Sequence, residues 1–129
     1  MNSTQRDSMV WLLGVVLALF YGYLSLHIDF HPDEAIYFDA IPLSVRNDAG
    51  AFYSAFYLLV THWFAGPEGA RLASAILGGA TFLVLARIIG LFRPLSASSI
   101  IVLFAVFALS YQAIFVFVRV RPEAAWWFC

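Results

Sequence analysis

The sequence predicts an all-α, polytopic membrane helix bundle, and three observations indicate this class. First, 63% of the 129 residues are hydrophobic and 12% are charged, whereas soluble domains contain about 45–50% apolar and about 25% charged residues. Second, the mean hydropathy is +0.86, which implies more apolar surface than one small core could bury. Third, long apolar runs alternate with short charged segments, as expected for helices that cross a bilayer. We treat residues 1–129 as a single transmembrane domain.

Three apolar runs are long enough to span a bilayer, which requires about 20 residues. They lie near residues 9–28, 71–92 and 96–118. The first run has a weakly charged N-terminal flank, is longer than a signal-peptide core and precedes no small-residue cleavage site, so we interpret it as a retained signal anchor. In the second run, Ser74 and Gly78 are four residues apart, as are Ala75 and Gly79. This spacing predicts a face that lets another membrane helix pack closely.

Residues 49–65 are also uncharged, and two placements are open for them. Their large apolar side chains recur on one helical face, a pattern compatible both with a true span and with a helix lying in the membrane interface. These side chains are Phe52, Phe56, Leu59 and Trp63. If residues 49–65 form an interfacial helix, Arg87 and Arg93 lie on the same side of the membrane as the N-terminus, in agreement with the positive-inside rule. If residues 49–65 span the membrane, these two arginines lie on the outer side instead. The first arrangement, which we favour, gives about three full spans, the start of a fourth, and short juxtamembrane helices in the first external loop.

The first candidate site follows the first span, in residues 31–38 with the sequence HPDEAIYF. His31 can cap a short helix there, and Pro32 suits its first position. Asp33 and Glu34 then have a structural interpretation, because acids in a first helical turn are stabilised by the helix dipole by about 0.3–1 kcal/mol each. They also have a catalytic interpretation. One carboxylate would act as general base toward an acceptor hydroxyl, while the other would orient a substrate or hold a cation.

The second candidate site follows the third span, where Arg119, Arg121 and Glu123 lie close together in the sequence. The structural interpretation is a helix start at Pro122 with interfacial arginine anchors. Functionally, two guanidinium groups beside an acid would suit a phosphate or pyrophosphate leaving group, which arginine binds in a bidentate manner.

Other functional classes are excluded or carry no signal. The net charge of −1, with seven arginines and no lysine, offers no basic patch for nucleic acid. His27, His31 and His62 lack the spacing of metal ligands, and the single cysteine, Cys129, can form no intrachain disulfide. No cofactor is therefore predicted with certainty, and a divalent cation at the acids is left open.

The arrangement of these motifs resembles the N-terminal part of GT-C-type glycosyltransferases, the multi-spanning superfamily of protein O-mannosyltransferases and bacterial aminoarabinose transferases. The most specific element is the acid pair of residues 31–37 (HPDEAIY) after a first span. A moderately specific one is the opening of the next span, residues 66–72 (GPEGARL), and residues 121–123 (RPE) are similar to an acid-bearing segment before the fourth span. The resemblance covers nearly all of this chain but only the start of a family protein.

The resemblance implies a sugar transfer from a polyprenyl- or dolichyl-phosphate donor, with inversion at the anomeric carbon, on the extracytoplasmic side of the membrane. Asp33 would deprotonate the acceptor hydroxyl, with Glu34 beside it in the motif, and Tyr37 would bind the substrate or the lipid phosphate. Glu123 would be a second acidic site residue, and Arg119 or Arg121 would lie near the lipid phosphate. The expected location is the bacterial inner membrane, as a multi-pass protein whose partners are the lipid-linked donor and membrane lipid; the sugar and the acceptor are not predicted.

A non-enzymatic alternative is a small membrane protein or accessory subunit whose small-residue faces pack against partner helices. The apolar residues 124–128 after Glu123 form a single turn, so we expect this chain to be the N-terminal fragment of a larger polytopic protein, inactive alone. The coding sequence downstream of Cys129 would distinguish the enzyme from the accessory subunit, because a reading frame that continues and encodes further spans favours the enzyme.

Overall fold

The computed structural model describes residues 2–28 and 67–118, all of whose regular structure is α-helical. The helices are α1 (Ser3–His27), α2 (Pro67–Phe92), α3 (Ala97–Leu109) and α4 (Tyr111–Val118). Two segments, Ser3–His27 and Arg71–Phe92, are each long and apolar enough to cross a membrane. The predicted helical class is therefore confirmed for the described residues, and two predicted membrane helices are present.

Helix α1 begins six residues before the predicted span because the polar residues ahead of the apolar run form a capping box. The backbone amide of Gln5 donates to Asn2 Oδ1 at 2.8 Å, and the backbone amide of Asn2 donates to Gln5 Oε1 at 3.1 Å. These two bonds satisfy amides that a helix start would otherwise leave without partners. The helix ends at His27, where Ile28 adopts an extended conformation.

Helices α1 and α2 form an antiparallel pair with a close contact at its middle. A Cβ atom added to Gly79 would lie 2.6 Å from the carbonyl oxygen of Gly14 and 2.9 Å from Ala18 Cβ. Nearer the end of α1, Gly22 faces Leu72, so residue numbers rise along one helix as they fall along the other. The predicted small-residue face of the second span is thus confirmed. Residues 28 and 67, which flank the connection between the helices, lie at the same end of the pair.

The prediction of one continuous helix over 96–118 is wrong, because the chain breaks at Ser110 and α3 and α4 meet at a bend of 65°. Ser110 serves both helices. Its amide donates to the carbonyl of Val106 at 2.9 Å, its own carbonyl accepts from Ile114 at 2.9 Å, and its hydroxyl accepts from the amide of Ala113 at 3.4 Å. A serine side chain that bonds to nearby backbone competes with helix continuation.

The bend shortens the reach of this segment across a bilayer. Helix α3 has 13 residues and α4 has eight, so their lengths are about 20 and 12 Å. Straight, they would match the hydrocarbon thickness of about 30 Å. Bent by 65°, they do not extend that far along one axis, and α4 packs against both α2 and α1.

An aromatic cluster joins the four helices. Phe82 of α2 meets Phe107 edge-on at a centroid distance of 5.8 Å, and Tyr21 of α1 stacks on Phe117 of α4 at 5.7 Å. Gly78 makes room for the second pair, since a Cβ there would lie 2.7 Å from Tyr21 and 2.8 Å from Phe117. All four rings are buried, whereas large side chains such as Leu19 and Leu91 are exposed. Apolar side chains on the outside fit a bundle solvated by lipid.

Candidate functional site

The six residues predicted to form the site all lie outside the described ranges, so the structure neither brings them together nor separates them. They are Asp33, Glu34, Tyr37, Arg119, Arg121 and Glu123. The same holds for the helix predicted over residues 49–65. What the structure does describe is the end of each helix from which these segments continue: α1, which leads to the acid pair, and α4, which leads to Arg119.

The C-terminal end of α1 is held by Arg71, a buried side chain of α2. One nitrogen, Nη1, donates to the carbonyl oxygen of Ser25 at 2.7 Å and to that of Ile28 at 2.8 Å. The last carbonyls of a helix have no partner within the helix, and they carry the negative end of its dipole. A guanidinium therefore satisfies them and is electrostatically favoured there. The backbone at Ile28 is fixed to α2 five residues before Asp33.

Short-range contacts order the same turn of α1. Ser25 is fully buried and its hydroxyl donates to the carbonyl of Gly22 at 2.7 Å. The Nδ1 atom of His27 lies 2.8 Å from the carbonyl oxygen of Tyr23, and the two rings are 4.2 Å apart. His27 thus packs along the helix, as a residue of its last turn. These contacts give the chain a defined direction where it leaves the described bundle.

Helix α4 ends in the same half of the bundle. Phe117 stacks on Tyr21, and Tyr21 lies seven residues before Ile28 along α1, which is an axial distance of about 10 Å. Val118, the last residue of α4, is buried. The segments that lead to Asp33 and to Glu123 therefore both depart from the half of the bundle in which α1 ends and α2 begins.

A tyrosine hydroxyl satisfies one of the carbonyls that the break at Ser110 releases. In a continuous helix the oxygen of Phe107 would accept from the amide of Tyr111. Here it accepts from the buried phenol of Tyr21 at 2.7 Å. An unsatisfied backbone group in an apolar medium costs several kcal/mol, so this bond removes that cost for the oxygen of Phe107. It also ties α3 to α1 at the level where α4 begins.

Charges of the described residues are divided unequally between the two ends of the helix pair. The end where α1 begins and α2 ends carries Arg6, Asp7, Arg87 and Arg93; the opposite end carries Glu68 and Arg71. Three arginines against one aspartate mark the first end as the more basic. At the second end, Glu68 lies in the first turn of α2, where the helix dipole favours an acid.

Sequence reasoning did not find the roles of Arg71, Tyr21 and Ser110, although each leaves a signal. Arg71 stands at the start of an apolar run, and an arginine in that position can either extend to the membrane surface as an anchor or cap a neighbouring helix inside the bundle. Tyr21 places a hydroxyl inside a span, where it requires a partner. Ser110 opens the polar triplet at 110–112 within an otherwise apolar segment. The partner of each depends on the packing of other helices, which spacing alone does not show.

Comparison with known proteins yields no relative for this chain: no family model, no curated protein and no solved structure matches it. Within residues 2–28 and 67–118, no group of three or more His, Cys, Asp or Glu side chains is placed to hold a metal ion. The functional assignment rests on the sequence motifs and on the geometry of the helix ends that flank them.

Proposed function

We propose that the chain is the N-terminal membrane part of a glycosyltransferase of the GT-C type. It would transfer a sugar from a polyprenyl- or dolichyl-phosphate donor to an acceptor hydroxyl on the extracytoplasmic side. One observation carries the proposal: the two segments that bear the candidate acids and arginines leave the described bundle from the same half, and Arg71 fixes the departure of the first. A shared site for both segments requires such an arrangement.

The proposed orientation has the basic end of the α1–α2 pair in the cytoplasm, as the positive-inside rule favours. Because the pair is antiparallel, residues 28 and 67 then both face the extracytoplasmic side. An interfacial helix over 49–65 is compatible with this pairing, whereas a single crossing by that segment is not. The bent α3–α4 pair would be the third, broken span of a multi-pass protein.

In the proposed site each residue has a distinct task. Asp33 takes the proton of the acceptor hydroxyl as that oxygen attacks the anomeric carbon, and the phosphate leaves with the bonding electron pair. Glu34 orients a substrate or holds a cation beside Asp33, and Tyr37 contributes to binding of the substrate or the lipid phosphate. Arg119 and Arg121 bind the leaving phosphate, which guanidinium groups contact in a bidentate manner. Glu123 completes the site as a second acid.

The test is the variant Asp33→Asn in the full-length protein that carries this chain, with a polyprenyl-phosphate-linked sugar as donor. An amide cannot accept the proton, and general-base catalysis contributes about 10²–10⁴-fold, so we expect transfer to fall by that factor. Folding should be retained, since asparagine caps a helix nearly as well as aspartate.

The matched control is Asp48→Asn, which makes the same change elsewhere in the same loop and should leave transfer near the wild-type rate. If Asp33→Asn keeps more than about a tenth of that rate, the residue is no base and its helix-capping interpretation stands. A full-length protein with no transferase activity for any lipid-linked sugar would favour the accessory-subunit alternative.

A further inference from the structure

A groove at the basic end of the α1–α2 pair carries an inference beyond sugar transfer. It has a volume of about 490 Å³ and is bordered by Arg6, Asp7, Trp11, Arg87, Gly90 and Leu91, and we call it the Arg6/Arg87 groove. It is a partly open groove rather than an enclosed cavity. Nothing in the proposed transferase site uses these residues, which lie at the opposite end of the helices.

The polar part of the groove is cationic. The Nε atom of Arg6 lies 3.8 Å from Asp7 Oδ1, so the aspartate balances one arginine. Arg87 is exposed, and its guanidinium carbon lies 6.0 Å from the centre of the Trp11 ring. A guanidinium above an indole at a helix end is typical of the membrane–water interface, where tryptophan is enriched. The groove therefore presents one excess positive charge at headgroup level.

The rest of the groove is apolar and has space for a chain. Its walls include Val10, Val84, Ile88 and Leu91. A Cβ atom added to Gly90 would meet nothing within 4 Å, so this glycine leaves open space beside the arginines. An inorganic anion would gain nothing from these walls, whereas an acyl chain would.

We propose that the Arg6/Arg87 groove binds one phospholipid with an anionic headgroup, its phosphate at Arg87 and one acyl chain along Gly90 and Leu91. Basic pockets between membrane helices on the cytoplasmic side recognise anionic headgroups in this way. Charge complementarity selects the headgroup, and the open apolar wall selects a lipid over a soluble phosphate.

The test uses the fluorescence of Trp11 in phosphatidylcholine vesicles that contain a minor fraction of a brominated lipid, which quenches tryptophan on contact. The contribution of Trp11 is obtained by subtracting the signal of the Trp11→Phe variant. We expect brominated phosphatidylglycerol to associate about fivefold more strongly than brominated phosphatidylcholine, which is the effect of one arginine near an anionic headgroup.

Two variants address the two parts of the groove. Arg87→Gln should bring the preference for phosphatidylglycerol close to one. Gly90→Phe places a ring in the open space beside the arginines and should reduce quenching by phosphatidylglycerol while leaving the charges intact. Arg93→Gln is the matched control, because it removes an exposed arginine at the same end but outside the groove, and it should keep the fivefold preference.

Several outcomes would overturn the proposal. Equal quenching by the two lipids in the wild-type protein would show no headgroup selection. An equal loss for Arg93→Gln and Arg87→Gln would show a diffuse charge effect, and undiminished quenching by phosphatidylglycerol in Gly90→Phe would place the lipid elsewhere. Competition by inorganic phosphate would indicate an anion site. Far-ultraviolet circular dichroism of each variant verifies that the helices are intact.

Discussion

Tyr21 and Arg71 perform the same physical task at two places, since each donates to backbone carbonyls at a helix end. The carbonyl at the break belongs to α3 and the carbonyls at Ser25 and Ile28 belong to α1. In water such groups would be hydrated. In a bilayer they require a protein donor, and a side chain from a neighbouring helix then also fixes the position of that helix.

At the residue scale, we expect Tyr21→Phe to destabilise the bundle by about 1–3 kcal/mol, because it leaves the buried carbonyl of Phe107 without its donor. The phenyl ring retains the stacking on Phe117, so the change isolates the hydrogen bond. Reversible unfolding in mixed detergent micelles measures the effect. The control is Tyr23→Phe at an exposed position of the same helix, for which less than about 0.5 kcal/mol is expected. Equal effects for the two variants would contradict the role given to Tyr21.

Arg71→Gln removes a charged donor that serves two carbonyls. Hydrogen bonds from charged groups contribute about 1.5–3 kcal/mol each, and a shorter amide cannot reach both oxygens, so a loss of at least about 1.5 kcal/mol in unfolding free energy is expected. Hydrogen exchange should also rise selectively at the last turn of α1. Arg93→Gln, with an exposed side chain, should change neither quantity measurably. Unchanged exchange at Ser25 through Ile28 in Arg71→Gln would refute the anchoring role.

At the element scale, glycine position rather than glycine content determines how α1 and α2 pack. Gly79→Leu would drive a side chain into the backbone of Gly14, which cannot give way, and overpacking of this kind costs about 1–3 kcal/mol or separates the helices. Gly90→Ala, on the same helix but facing open space, should be neutral or stabilising by up to about 1 kcal/mol. Crosslinking between cysteines placed on the two helices, together with unfolding, reports both outcomes. Tolerance of leucine at position 79 would mean that the close contact does not hold the pair.

The break between α3 and α4 shows the limit of hydropathy at this scale. Residues 94–118 are all uncharged, and a hydropathy window cannot distinguish a straight span from a bent pair. Serine at position 110 can cap both the end of α3 and the start of α4, but a single serine is often tolerated inside a continuous membrane helix. At the break, Tyr21 satisfies the oxygen of Phe107, one of the carbonyls released there, and Gly78 makes room for Phe117.

At the scale of the whole molecule, the antiparallel pair predicts that residues 47 and 93 lie on opposite sides of the membrane. Single cysteines at Asn47 and Arg93, in a background with Cys129→Ser, should therefore react with a membrane-impermeant maleimide from opposite faces. The control is a cysteine at Thr4, near Arg6, which should label from the same face as position 93. Labelling of positions 47 and 93 from one face would show that residues 49–65 cross the membrane.

Composition and run length are sufficient to specify apolar helices as the class of this protein, because a bilayer excludes unpaired backbone groups. The sequence also predicts where another helix can approach closely, since Ala75 and Gly79 are small residues four positions apart and therefore lie on one helical face. The acid pair at Asp33 and Glu34 is likewise a sequence feature, and its catalytic role stays a prediction.

Two features of the fold depend on contacts between helices that are distant in the sequence. The bend at Ser110 depends on a hydroxyl 89 positions earlier in the chain, and Arg71 is a buried cap because the end of α1 arrives beside it. In each case the free energy of one residue depends on a donor or acceptor supplied by another helix. The sequence of one segment shows which polar groups require a hydrogen-bond partner, and the packing of the helices determines which residue supplies it.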